Sequence, residues 1–398
     1  MTSAPLPDVF PSISLEDVAS LKGGYAFKSS DYVDDGAFVL RTLNVGVDGS
    51  IRRDNAVFID EERVAEFERF KLVEWDTVFV MVGATLGKTG LVRPHDLPAL
   101  LNQNMWVIRA KPEIMDPRFL HYMFTFQSKT LLAWASGAAR DFVKRDDFRK
   151  LMMPTPSLSE QCAISELLGV LDDKIDSNQR KIVKAKELMH LEFLASTVSD
   201  SREGSLGEVL TESRKKVFGD SAAVVVLSAL AEGQLVVSDD HFKKKVYSKE
   251  IDKYLKVPQW AFAYNPSRIN IGSIGLNSST TVGAVSPVYV VAQAKTSSIA
   301  RWVEQALRTR NVKDQIVAYS SGSVRQVLRY ADFASIQLNL PSDEALSGFE
   351  DRTRTLYSLA DVAAKEVNSL SILRDTLIPE LLSGRLRVKH AESMMENV

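Results

Sequence analysis

The stretch SGAARDFVKRDDFRKLMMPTP, residues 136–156, is matched without a gap by SGSVRQVLRYADFASIQLNLP, residues 321–341. Ser136/Ser321, Gly137/Gly322, Arg140/Arg325, Asp147/Asp332, Phe148/Phe333 and Pro156/Pro341 are identical. Phe142/Val327, Val143/Leu328 and Leu151/Ile336 keep apolar character. A short period would signal a stack of small repeats. A period of 185 residues, from 136 to 321, is the size of a whole domain, so the chain reads as two copies of one domain.

The segments downstream of the two copies agree. After Pro156, Ser157 and Glu160 have the S-x-x-E spacing of a capping box, which satisfies the orphan N–H groups of a helix start. Ile164, Leu168, Leu171, Ile175, Asn178, Ile182, Ala185 and Met189 then alternate steps of four and three, an a/d seam with one polar Asn. After Pro341, Leu356, Ala360, Ala363, Val367, Leu370, Arg374, Leu377 and Leu381 repeat those steps, with Pro379 expected to interrupt the helix and Gly384 to stop it. Small seam residues (Ala185, Ala360, Ala363) favour close approach, so the two helices are expected to pair as an antiparallel coiled coil.

Between these helices lie two strand-rich bodies. FVLRTLNV (38–45), TVFVMVG (77–83) and NMWVIRA (104–110) read as strands, and PRFLHYMFTFQSKTLLAWAS (117–136) reads as a helix. In the second copy AAVVVLSAL (222–230), AFAYN (261–265) and SPVYVVAQ (286–293) read as strands and SIARWVEQALRTR (298–310) as a helix. The expected architecture is α/β (α+β) with a pseudo-two-fold internal repeat: a first domain at 1–157, a central long helix at 158–200, a second domain at 201–342, a distal long helix at 343–388 and a tail at 389–398.

VMVGATLGKTG, residues 80–90, has the look of a phosphate-binding loop, but only three residues separate Gly83 from Gly87, and Thr89 leads into GLVRPHDLP rather than a helix. Without a helix N-terminus there is no anion seat, and a hairpin between two strands is the simpler reading. Net charge is −2, so any nucleic-acid surface must be local, as in RKKVF (214–218) or FKKKVYSK (242–249). The single cysteine, Cys162, excludes a disulfide framework and a Cys-based zinc site within the chain; its place near a helix start could lower its pKa, but it reads as a plain helix residue. There is no G-x-G-x-x-G after a strand, no H-E-x-x-H and no G-x-S-x-G, and His95, His121, His190, His241 and His390 have no ligand spacing. Asn265-Pro266 continues as Ser-Arg, not as an adenine-methylation motif. Neither a signal peptide nor an apolar run of membrane-spanning length is read, and the expected location is the cytoplasm, with no membrane partner.

Taken in this order, PSLSEQCAISELLGVLDDKIDSNQRKI (156–182), LIPELLSGRLRV (377–388), VGATLGKTG (82–90) and YNPSRINIGSIG (264–275) resemble the specificity subunits of type I restriction–modification systems, over nearly the whole chain. The resemblance implies a non-catalytic reader of double-stranded DNA, each target-recognition domain taking one half of a bipartite site. It implies that the long helices set the gap and dock two modification subunits. Those partners would carry S-adenosylmethionine, and restriction subunits, where present, ATP and Mg. A reader serving a nuclease-free defence methylation system, or a coiled-coil scaffold that binds no DNA, are the alternatives.

Base readout needs Arg or Lys for guanine and Asn or Gln for adenine, and phosphate contact needs loop-borne cations and N–H groups. Candidates in the first domain are Arg41, Asn44, Thr85, Lys88, Asn102, Gln103 and Asn104, of which Asn102 and Asn104 also read as a lead into the next strand. In the second they are Arg214, Lys215, Lys216, Asn265, Arg268, Asn270 and Ser273. The repeated SG-x-x-R segments, with Arg140, Lys144 and Arg145 and their counterparts Arg325 and Arg329, share a frame between copies whose readers should differ. They are expected to touch phosphate or pack domains rather than read bases.

Overall fold

The computed structural model describes residues 10–46, 48–137, 145–199, 201–218, 224–231, 233–238, 251–320 and 327–388. The chain divides into two compact units, Met1–Arg180 with Ala364–Val398, and Lys181–Ala363. The division falls inside both long helices, because the near half of each packs with one unit and the far half with the other.

In the first unit β1 (Ser12–Ser14) leads through a one-turn helix α1 (Leu15–Val18) into β2 (Ala19–Gly23). β3 (Ala37–Leu40), β4 (Phe58–Ile59), β5 (Thr77–Val80), β6 (Thr89–Leu91), β7 (Ala99–Leu101) and β8 (Met105–Ala110) come next. Helices α2 (Pro117–Gly137) and α3 (Arg145–Arg149), strand β9 (Met152–Pro154) and the long α4 (Leu158–Ser199) complete the order. One antiparallel sheet runs β2-β8-β5-β6 and a second runs β4-β3-β7, with β3 and β7 parallel. β1 pairs antiparallel with β9. Helix α2 starts where Asp116 Oδ1 accepts the Phe119 N–H at 2.8 Å and Pro117 has no N–H that would need an acceptor. Its Phe119, Leu120, Met123 and Phe124 are buried with Phe79, Ile108 and Phe148 in one core, which Ile164, Leu168 and Leu171 of α4 close.

The second unit repeats this plan. β10 (Ser201–Ser205), α5 (Leu206–Val209), β11 (Leu210–Glu212), β12 (Val225–Leu230), β13 (Gln234–Val237) and β14 (Leu255–Val257) come first. β15 (Ala261–Tyr264), β16 (Ile274–Asn277), β17 (Gly283–Val285), β18 (Val290–Ala294), α6 (Ser297–Ala306), α7 (Arg310–Ser320), α8 (Tyr330–Ala334), β19 (Gln337–Pro341) and α9 (Asp343–Leu382) complete it. Its sheets run β11-β18-β15-β16 and β13-β12-β17-β14, with β12 and β17 parallel, and β10 pairs with β19. Strand order and sense therefore match the first unit, and β14 is an added edge.

Within each unit the long helices lie antiparallel. In the first, Asn178 Nδ2 donates to Glu366 Oε2 at 2.8 Å and Arg374 meets Asp172 at 2.9 Å. In the second, Ala185, Met189 and Ala360 pack together and Arg352 meets Glu192 at 2.7 Å. The seam polar residues thus have polar partners, which fixes register where an apolar seam could slide.

Three expectations need correction. FVLRTLNV is a strand only to Leu40; Thr42–Asn44 form a 3-10 turn, because Asn44 Oδ1 accepts the Arg41 N–H at 3.1 Å and turns the chain. SIARWVEQALRTR is not one helix: α6 ends at Ala306, and Thr309 Oγ1 accepts the Val312 N–H at 3.4 Å to begin α7. Pro379 does not break α9, which runs to Leu382 before Gly384 takes φ 72°.

Candidate nucleic-acid interface

The VMVGATLGKTG stretch is a hairpin turn. β5 pairs antiparallel with β6, and the Gly87 N–H closes on the Val80 carbonyl at 2.9 Å. Gly83 and Gly87 stand at φ 75° and 87°, a left-handed backbone that explains both glycines without a phosphate. The counterpart is the β15–β16 turn, where Gly272 stands at φ 91° and a Cβ would clash with the Ala231 carbonyl oxygen.

In the first unit β2, β3, β5 and β7 all deliver their C-terminal ends to the same edge of the sheets. The loops leaving them are stitched together there. Asn102 N donates to the Leu40 carbonyl (3.0 Å), Gln103 N to Tyr25 (2.8 Å) and Met81 N to Asn104 (3.0 Å). This brings Arg41, Asn44, Thr85, Lys88, Asn102, Gln103 and Asn104, distant in sequence, to one end of the sheets. The equivalent edge of the second unit collects Arg214, Lys215, Lys216, Asn265, Arg268, Asn270 and Ser273. Ser213 N donates to Val291 (2.8 Å), Ser273 Oγ to Ala229 (2.9 Å) and Lys256 N to Lys215 (2.7 Å).

The candidates then separate by what they touch. Asn44 is fully buried, its amide spent on Arg41 N and the Asp54 carbonyl (3.1 Å); it holds the turn and presents no edge to a base. Ser273 is likewise buried. Lys88 Nζ donates to the Val45 carbonyl at 3.0 Å, tying the hairpin to the neighbouring turn. Arg41 Nη2 donates to the Asn55 carbonyl, leaving its Nε buried and unpartnered. Asn104 stands at φ 68°, a turn position Asn tolerates well. Thr85 and Asn270 are half-buried in their turns. Asn265 Oδ1 accepts the Ser267 N–H at 3.1 Å, an Asx turn that shapes the hairpin tip.

Gln103 and Arg268 are exposed and, among the described residues, have no side-chain hydrogen bond, so their polar ends face solvent. Lys215 and Lys216 are exposed, and Arg214 carries an exposed pair to Glu212 at 3.0 Å. Apolar side chains stand on these same turns, where residue type alone points only to polar groups. Leu43 and Leu86 are each 51% exposed, as is Ile271, and Tyr25 stands with Phe27, Phe67 and Phe70 around it.

Of the SG-x-x-R group, Arg140, Lys144 and Arg325, with the basic run 242–249, lie outside the described residues. Arg145 donates to the Leu21 carbonyl and lies 5.9 Å over the Trp106 ring, a packing role. Arg329 is exposed at the start of α8.

The interface rests on a rigid mount. Gln161, the Gln of the Pro-x-x-x-Glu-Gln start, is fully buried. Its amide donates to the Ile114 (3.1 Å) and Pro156 (2.9 Å) carbonyls and accepts the Asp116 N–H (2.9 Å), fastening α4 to the start of α2. Ser157 Oγ accepts the Glu160 N–H at 3.3 Å, while the Glu160 carboxylate turns to Arg387 instead of closing the capping box. Cys162 is an exposed helix residue whose thiol is pushed up by burial of its sulfur and by Asp116 and Glu166, opposite to the lowering a helix start can give. Among the described residues no group of three or more His, Cys, Asp or Glu is arranged to hold a metal ion, and no helix is long and apolar enough to cross a membrane.

The profile of the type I restriction modification DNA specificity domain matches residues 7–187. The chain is 27% identical over 190 residues to the type I restriction enzyme MjaVIII specificity subunit of Methanocaldococcus jannaschii, covering 46% of this chain and 44% of that one. It is 21% identical over 438 residues to the EcoBI specificity subunit of Escherichia coli, covering 96% and 86%. It thus spans less than half the length of the first relative and most of the second. The crystal structure of the type I restriction–modification S subunit from M. genitalium shares the fold, with a TM-score of 0.54 at 16% identity, covering 96% of this chain and 97% of that one. One match lies in the first copy and another runs through both: residues 7–187 match the type I restriction modification DNA specificity domain, and the chain as a whole is similar to type I restriction enzyme specificity subunits.

Proposed function

We propose that this chain is the DNA sequence-recognition subunit of a type I restriction–modification complex. Each unit reads one half of a bipartite double-stranded site with the loops at its sheet edge. The paired helices set the unread gap and dock two modification subunits, which bind S-adenosylmethionine and methylate adenine. The chain itself carries no catalytic group in this scheme.

The observation that supports this most is the sheet edge built twice. The frame is the same in both copies, while the side chains it presents differ: Gln103 in one, Arg268, Lys215 and Lys216 in the other. One frame with two sets of reading groups is what an asymmetric bipartite site requires, as paired modules meet paired half-sites. A net charge of −2 leaves phosphate attraction weak, so the partners supply much of the grip on DNA.

The test is to map N6-methyladenine across the genome of the host strain with and without this gene. Loss of methylation at one bipartite, asymmetric motif on deletion is the expected result. An unchanged methylome, with the modification subunits expressed, would overturn the reading.

A further inference from the structure

Each unit contains the same joint between its sheet and a long helix. Trp75 and Trp260, 185 residues apart, both stand at φ 65° just ahead of β5 and β15. That backbone is rare for a bulky residue and persists only where the surroundings hold it. Here the main chain does so: Trp75 N donates to the Val92 carbonyl at 2.8 Å and Trp260 N to the Asn277 carbonyl at 2.7 Å.

A guanidinium covers each indole. Arg118 of α2 lies 4.4 Å from the Trp75 ring centroid, and Arg301 of α6 lies 5.2 Å from that of Trp260. Both Nε atoms are buried without a hydrogen-bond partner, which a group lying flat between surfaces accepts and a forked ion pair would not.

The other side of each guanidinium faces a long helix. Arg118 pairs with Asp173 of α4 at 3.0 Å and occupies the space over Gly169, where a Cβ would come within 2.6 Å of its Cζ. Arg301 lies 4.5 Å from the ring centroid of Tyr357 on α9. One turn further, Tyr122 donates to Asp172, and Gln305 donates to Tyr357 Oη at 3.1 Å. Asp172 and Tyr357 are again 185 residues apart. The layering of indole, guanidinium and spacer helix is therefore built twice, with different residues on the helix side.

We propose that Arg118 and Arg301 are positioning residues for sequence recognition: each holds one reader at a set angle to its spacer helix and so restricts the gap length the protein accepts. This rests on the function proposed above. Adding one base pair moves a half-site roughly 3.4 Å along the duplex and about a tenth of a turn around it. A reader clamped between a ring and a helix cannot follow that swivel, whereas one on a loosened joint can.

The experiment uses the chain assembled with its modification subunits and duplexes carrying both half-sites, with the gap shortened or lengthened by one base pair. Methylation is read at each gap. The wild type is expected to methylate one gap. Arg118→Met, which keeps the stem over Trp75 but removes the planar cation, lowers the preference for that gap on the order of tenfold and leaves both half-site sequences unchanged. Gly169→Ala, which removes no contact group and crowds the guanidinium off its seat, does the same in a well-folded helix. An unaltered gap preference in both variants, or a changed half-site sequence, overturns the proposal. A wild-type complex that methylates no duplex in the set overturns the functional reading, and this proposal with it.

Discussion

Arg374, at a position of the helix seam where an apolar residue is expected, meets Asp172 of the facing helix at 2.9 Å with both side chains largely shielded. Burial alone would disfavour the guanidinium's charge, but Asp172 and then Asp375 outweigh it, and its pKa is raised. Such a pair contributes little against an apolar replacement, yet leaves a costly charge when halved. Arg374→Leu should destabilise the first unit by about 3 kcal/mol, and adding Asp172→Asn, which removes the stranded charge and still accepts the Tyr122 hydroxyl, should recover much of that. A double-mutant cycle on urea midpoints checks it; additive losses would contradict the pairing argument.

Gln161→Leu keeps the volume of a buried side chain while orphaning the Ile114 and Pro156 carbonyls and the Asp116 N–H. A cost of about 2–4 kcal/mol is expected from unsatisfied buried groups. The measurement is the unfolding midpoint, with hydrogen exchange reporting early opening between α2 and α4. A shift under ~0.5 kcal/mol, the size typical of a surface substitution, would mean that the amide does not fasten them.

His121, whose Nδ1 lies 3.3 Å from Thr77 Oγ1, is driven by burial to a pKa of about 4 from an ordinary 6.5, with Asp172 opposing the shift. Between those values the unfolded chain binds the proton and the folded one does not. Stability from this group is therefore full above pH 6.5 and is lost as pH falls towards 4, by at most about 3 kcal/mol. His121→Gln should flatten the stability profile in that window. A profile unchanged by the substitution would show that the ring is not held neutral.

Two arginines of the second unit should behave differently on DNA. Arg268→Ala, at a hairpin tip, should relax one base position of a half-site and cost about 1–3 kcal/mol. Arg329→Ala, on the frame shared by both copies, should weaken binding evenly across sequences and lower the salt slope by about one. Competition binding of the assembled complex against single-substituted duplexes at two salt concentrations separates them. A position-specific loss from Arg329→Ala would reassign it as a base reader.

Much of the architecture is a matter of local pattern and was legible in the chain. The four-three spacing from Ile164 to Met189 defines a helical face wherever it sits, and the match of residues 136–156 with 321–341 implies one fold made twice. The glycine spacing at 83 and 87 was enough to set aside a phosphate loop, since the conformations of such loops are local.

The interface was not legible in the same way. Asn44 and Gln103 are both amides on loops after strands, and sequence ranks them alike; burial inside a turn takes one out of reach and leaves the other at the surface. Arg118 reads as one more helix charge until Trp75, Gly169 and Asp173 gather around it. Periodicity records which face of an element is apolar, so the sequence by itself determined the two long helices and the duplication. Whether a polar side chain meets solvent, a carbonyl or a ring depends on segments far away along the chain, so only the tertiary structure decided which residues are presented at the sheet edge and which hold it in place.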